Sequence, residues 1–245
     1  MSDLDFEVLG AEPDPYAADP VLVFKLRVKE NEGEVIQSVS LRCQIMIEPQ
    51  RRRYTRDEES RLLAMFGETP RWGSTVKPFL WTHSSTILPG FTGSIDVKLP
   101  VQCTYDFEIA SSKYMHAVET GEVPLNLLFS GMVFAEAENG FKAEPIAWNK
   151  EARFGLPGTT WRTMMDYFFP GTGWLRIPRG TLDRLERFKT VRGLYSWDQT
   201  FDILLSQAEA EDEAQKAEAE LKAAGAAEPD GTPTAVPDGH QRIVR

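Results

Sequence analysis

Residues 36–47 read IQSVSLRCQIMI, with Val39, Leu41, Cys43, Ile45 and Ile47 alternating against Ser38, Ser40, Arg42, Gln44 and Met46. A period of two over so many residues is the signature of a β-strand with one face in a core and one toward water. Upstream, Leu22, Phe24, Leu26 and Val28 alternate with Val23, Lys25, Arg27 and Lys29 in the same way, and residues 4–9 read as a first strand. The Asn31 and Gly33 between these runs predict a hairpin from one to the other.

Downstream of Pro49 the period changes. Thr55 and Glu58 have the spacing of a capping box, Leu62, Met65 and Phe66 share one face, and Gly67 stands where a helix would stop. Alternation returns in Phe79, Trp81, His83 and Ile87, pauses at Pro89-Gly90, and continues through Ile95, Val97, Leu99 and Val101 into Tyr105, Phe107 and Ile109. A short helix is predicted over 112–119. Leu125, Leu127, Phe129 and Val133 form a further strand, and residues 141–148 pair back on it across Glu138-Asn139-Gly140. About eight strands before residue 155 make the expected class mainly β, a β-sandwich with a helical C-terminal segment, α+β overall.

Three helical stripes follow: Trp161, Met164, Met165 and Phe168, ending at Pro170; Leu182, Leu185 and Phe188, ending at Gly193; and Trp197, Phe201, Leu204 and Leu205, opened by Ser196 and Gln199. The predicted organisation is therefore a sandwich domain over 1–155, a helical cap packed on it over 156–206, and an acidic frayed helix with a disordered tail over 207–245. That last segment carries nine acidic and four basic residues, half of the net charge of −10.

At 245 residues, 42% hydrophobic, the chain has material for a sizeable core. A pI near 4.9 argues against nucleic acid, whose phosphates require a basic face. No apolar run approaches the roughly 20 residues needed to span a bilayer, so no membrane insertion is expected. The start MSDLDFEVLG lacks the basic and apolar parts of a signal peptide. A cytoplasmic location is the resulting expectation, and Cys43 and Cys103, each on an apolar strand face, are expected as buried free thiols.

Motifs that would carry chemistry are missing: there is no nucleophile elbow, phosphate-cradling glycine loop or His-Glu-x-x-His helix. Cys43, Cys103, His83 and His116 could supply a zinc site by type, but none is paired at ligand spacing. His116 and Glu119 stand three apart on the predicted helix, whose apolar face is Tyr114, Ala117 and Val118, so His116 is expected to face water. No catalytic residue, metal or cofactor is assigned. Two groups remain. Arg51, Arg52, Arg53 and Tyr54 directly follow a strand and could hold an acidic protein partner, together with Trp72, Trp174 and Arg176 in irregular segments. The bland alternative is a solvated strand end answered by Asp57, Glu58 and Glu59. Trp81 and His83, on one predicted strand face, could line a ligand pocket, the alternative reading as an enzyme or small-ligand binder.

The runs LRCQIMIEPQRRRY, AMFGETPRWG, LWTHSSTILPGFTGS, LPVQCTYDFEIASSKYMHA, VPLNLLFSGMVF and GWLRIPRGTLDRLERFKTVRGL resemble an uncharacterised actinobacterial family of unknown function, over residues 4 to 205. Members of that family tend to be encoded among nickel-iron hydrogenase genes. The resemblance implies a non-enzymatic accessory role beside a hydrogenase subunit or maturation protein, and it transfers no catalytic residue. The absence of a cysteine cluster argues that the chain itself holds no iron-sulfur centre.

Overall fold

The computed structural model describes residues 3–104, 109–118, 120–137, 140–172 and 177–225. In chain order the elements are β1 (Leu4–Pro13), β2 (Val21–Glu30), β3 (Val35–Ile47), α1 (Arg56–Phe66), α2 (Trp72–Thr75), β4 (Phe79–Leu88), β5 (Phe91–Thr92), β6 (Ser94–Gln102), α3 (Ala110–Ala117), β7 (Glu122–Ala137), β8 (Gly140–Pro145), β9 (Glu151–Pro157), α4 (Gly158–Phe168), α5 (Arg179–Val191) and α6 (Trp197–Gly225). They divide into two compact units, Met1–Arg176 and Ile177–Arg245.

The first unit is a sandwich of two antiparallel sheets. One has the order β1-β2-β6; the other runs β4-β3-β7-β8, with β5 on β3 and β9 on β7. The inward residues of β2 (Leu22, Phe24, Leu26, Val28) and of β3 (Val39, Leu41, Cys43, Ile45, Ile47) are at most 1% exposed, so the alternation read from the sequence is the core itself. Full burial of each such aliphatic side chain contributes about 1.5–3 kcal/mol relative to exposure. Across the layers Phe6 stacks on Phe129 at 4.1 Å, and Phe24 meets Phe154 edge-on at 6.0 Å. Lys150 ties the β8–β9 connection to β1 through Asp3 at 2.6 Å and Asp5 at 3.0 Å. On the opposite side the Ser84 hydroxyl of β4 donates to the Pro100 carbonyl of β6 at 2.6 Å.

β7 is the longest strand, 16 residues, and lies against β3 along one side and against β8 and β9 along the other. At Gly131 (φ 140°) the β3 backbone comes so close that an added Cβ would stand 1.9 Å from the Ser40 carbonyl oxygen. Only glycine permits that approach.

The structure departs from the sequence reading in four places. The β2–β3 connection is not a hairpin, since β2 and β3 belong to different sheets. The Glu30 carboxylate, buried at the turn, accepts the N–H groups of Glu32 and Glu34, each at 2.9 Å, and sends the chain across the sandwich. In β4 the register against β3 shifts between Ile45 and Met46, with Thr82 opposite the first and Leu80 opposite the second. Trp81 is the extra residue of that β-bulge, and beyond it the parity inverts: Leu88 is buried while His83 and Ile87 point to water. A ninth strand, β9, was not anticipated. Finally, the boundary falls at 176/177 and not at 155/156. α4 follows β9 directly, buries Trp161, Met164 and Met165, and donates the Tyr167 hydroxyl to the Pro15 carbonyl at 3.2 Å, so it is part of the first unit.

Within the second unit α5 has no buried residue; Leu182, Leu185 and Phe188 are half-buried. α5 meets α6 at the turn between them, where the Lys189 ammonium stands 5.7 Å over the Trp197 ring. Ser196 opens α6 by accepting the Gln199 N–H at 3.1 Å. The helix continues through the expected frayed region to Gly225, and the tail predicted beyond it lies outside the described residues.

Candidate functional site

The three consecutive arginines after β3 have three different environments. A 3-10 turn at Pro49–Arg51 redirects the chain, and the extended backbone at Arg52 and Thr55 carries it into α1. Thr55 and Glu58 form the reciprocal capping box expected of their spacing. Glu58 does more than cap. Its side chain is 1% exposed, and both of its oxygens accept from Arg52 Nη2, at 2.9 and 3.0 Å. The Thr120 N–H reaches the same carboxylate at 3.2 Å. Arg52 also donates to the carbonyls of Arg53, Thr120 and Glu122 at 3.1–3.3 Å, so its fork joins the α1 entry to the segment ahead of β7. Charge-assisted, multiply bonded pairs of this kind lock local geometry.

Tyr54 extends the same interior group. Its hydroxyl donates to the Pro49 carbonyl at 2.7 Å, which leaves the Tyr114 hydroxyl, 2.8 Å away, to donate to Tyr54. Burial pushes the Tyr54 phenol up to about 12 and raises Tyr114 as well, against a smaller lowering of Tyr54 by its hydrogen bond from Tyr114. The Trp72 ring stands edge-on to Tyr54 at 5.2 Å and to Phe66 at 5.7 Å, and its Nε1 donates to the Gly67 carbonyl at 2.8 Å. Arg52, Tyr54 and Trp72 are thus half-buried, with their polar groups engaged in this network. The capping carboxylate of Glu58 holds Arg52 through its single Nη2, to which both carboxylate oxygens accept.

Arg51 and Arg53 are exposed. Arg51 lies 3.4 Å from the Glu48 carboxylate and shares a groove of about 430 Å³ with Arg153 of β9, itself 3.7 Å from Glu151. Arg52, Glu48, Glu122, Pro124 and Phe154 are among its other lining residues. Its floor is close-fitting, for a Cβ on Gly155 would stand 2.0 Å from Glu122 Oε2. Arg153 escaped the sequence reading because β9 did; the Glu151-x-Arg153 alternation was its available signal. Trp174 and Arg176 lie outside the described residues.

Trp81 and His83 lie on opposite faces of β4. The bulge leaves Trp81 facing inward, edge-on to Phe24 at 6.3 Å, and turns His83 outward opposite Gln44. The same inversion separates His83 from Cys43, which points inward on β3. Both thiols are buried, and burial pushes each up to about 12. Among the described residues no three of His, Cys, Asp and Glu are grouped as metal ligands. His116, expected in water, instead stands edge-on to Trp161 at 4.6 Å, and burial, aided by the nearby Arg162 charge, lowers it to about 4. It borders a second groove, about 590 Å³, between Leu62 and Met65 of α1 and Ala110, Lys113 and Ala117 of α3. No helix among the described residues is long and apolar enough to cross a membrane.

Set beside known families, residues 1–213 match the model of a family of unknown function, DUF6084. The chain belongs to the DUF6084 family. This DUF6084 chain has no match among curated proteins. Among solved structures it is similar to the CARDB domain of the PF1109 protein from Pyrococcus furiosus, determined in complex with di-metal ions, at 14% identity and TM-score 0.26 over 64% of this chain and 93% of that one. The ApaA protein of Bordetella pertussis matches at 14% identity and TM-score 0.23 over 64% and 94%. A β-glucosidase of Kluyveromyces marxianus matches at 9% identity and TM-score 0.24 over 63% of this chain and 15% of its own.

Proposed function

We propose that this DUF6084 protein is a non-enzymatic accessory protein that holds a partner protein by an acidic segment laid between Arg51 and Arg153. The observation that carries the reading is that two exposed guanidinium groups, Arg51 and Arg153, line one groove on a chain of net charge −10. Arginine pairs with carboxylates bidentately, and a cation held only in an exposed ion pair exchanges partners at little cost. Each of the two is only loosely engaged at home, with 3.4 Å and 3.7 Å to its nearest carboxylate, whereas the neighbouring Arg52 is fully spent on Glu58. The hydrogenase association implied by the sequence resemblance nominates a hydrogenase subunit or maturation protein as that partner.

The test is affinity purification of the tagged protein from its own cells with the hydrogenase genes expressed, followed by mass spectrometry, comparing wild type with Arg51→Glu/Arg153→Glu. Recovery of hydrogenase components by wild type, reduced at least about tenfold in the double variant, is the expected result. Equal recovery by both proteins would overturn the groove as the docking site; failure of wild type to enrich those components would overturn the hydrogenase reading.

A further inference from the structure

The groove bordered by His116 is built from the sides of two helices whose inner faces are fixed in the core. α1 buries Leu62 and Phe66, α3 buries Tyr114 and Met115, and Phe66 stands edge-on to Tyr114 at 6.2 Å. One stripe of each helix is left to line the groove: Arg61, Ala64 and Met65 of α1, at i, i+3 and i+4, and Ala110, Lys113 and Ala117 of α3, at i, i+3 and i+7. The alanines and Met65 make the lining mainly apolar, and His116, neutral above about 4, adds an uncharged ring. The charged members, Arg61 and Lys113, are both cations, one from each helix. No carboxylate is among the described lining residues, whereas the Arg51 groove carries Glu48 and Glu122 in its own lining, and the groove beside Tyr16 carries Glu12 and Asp14. On a chain of net charge −10 this groove therefore stands apart in sign. The helix dipole acts in the same sense, since Ala110 is the first residue of α3 and brings its positive end to the groove.

We propose that the α1–α3 groove binds a medium-chain aliphatic carboxylate, its head held by Arg61 and Lys113 and its hydrocarbon chain laid on Met65 and the alanines. Both cations are exposed, and an exposed cation exchanges one anionic partner for another at little cost. The chain supplies the apolar area and the two cations select the sign of the head, a division of labour common to small-ligand sites, where a few polar groups orient a largely apolar body. The dimensions agree. The volume of about 590 Å³ lies within the roughly 300–1,000 Å³ of such sites, and the wall from Ala110 to Ala117 runs about 10 Å along α3. This site is separate from the Arg51 groove and does not depend on the protein partner proposed there.

Isothermal titration calorimetry of the full chain tests this with decanoate, and with decyltrimethylammonium as a cation of the same tail. Non-specific adsorption to a chain of net charge −10 favours the cation, so a preference for decanoate reports the groove. Wild type is expected to bind decanoate with a dissociation constant below about 100 μM and the cation at least about tenfold more weakly. Arg61→Glu/Lys113→Glu, which removes the head site, and Ala64→Trp, which fills the groove from an exposed position, are each expected to weaken decanoate at least about tenfold, with circular dichroism unchanged. Absence of decanoate binding up to about 1 mM overturns the proposal, and an amphipathic helix of another protein as the true occupant would show as that outcome. So does a cation bound as tightly as decanoate, since the head is then not being read. Decanoate binding that neither variant changes overturns it as well, because the ligand then lies elsewhere.

Discussion

The Arg52 corner and the α5–α6 unit both place arginines beside carboxylates, and they use them in opposite ways. At the corner a single arginine is nearly out of water, its side chain 10% exposed against 1% for Glu58, and its donors are answered by one carboxylate and three carbonyls. In α5 the arginines stand in solvent on a helix with no buried residue. Taking charges out of water costs several kcal/mol, so a buried pair persists only where the rest of the network repays it. The corner is thus rigid and mutually dependent, while the charges of α5 are nearly independent of the fold and remain available to something else.

That contrast can be broken first at Glu58. Glu58→Ala strands the Arg52 guanidinium inside the protein, and urea unfolding is expected to show a loss of about 3–5 kcal/mol, with Arg52→Ala similar in size. A loss below about 1 kcal/mol would mean that water enters the corner and that the two regions do not differ in kind. An intermediate effect is expected from His116 of α3, whose imidazole stands against Trp161. The folded protein keeps its imidazole neutral down to about 4, whereas the unfolded chain protonates near 6.5. The unfolded state therefore binds the extra proton first; the stability linked to His116 is complete above 6.5 and is lost as pH falls toward about 4. Thermal melts across that range should fall more steeply for wild type than for His116→Gln, and parallel curves would count against the burial of the ring. The smallest effect belongs to α5, where Arg187→Ala is expected to change stability by no more than about 0.5 kcal/mol. A larger loss would place Arg187 in the same class as Arg52.

Legibility in the sequence followed the range of the interactions concerned. β3 and α1 were readable because their signals are local: parity in one strand, and a Thr-x-x-Glu box whose two ends bond each other. β4 was misread after Trp81 because a bulge is set by the partner strand, and nothing in LWTHSST announces which residue will be skipped. The β2–β3 link was misread because Asn31 and Gly33 announce a change of direction, while the choice between a hairpin and a crossing depends on which sheet has an edge open. At the candidate site Arg51, Arg52 and Arg53 are equal in sequence. Their separation into one interior clamp and two surface cations is made by Glu58 and by the carbonyls of Thr120 and Glu122, which the fold brings from far along the chain.

The position of β7 bears on how this protein is made. β3 finds one neighbour in β4 soon after it is synthesised, but its other neighbour is separated from it by roughly ninety residues of chain, a long-range pairing of the sort that slows folding. While the ribosome adds those residues, at about 5–20 each second, a strand with a fully buried apolar face waits with one edge unpaired. For several seconds in each round of translation the nascent chain offers a template to any other extended segment nearby, and its yield in the cell depends on what shields β3 until β7 emerges.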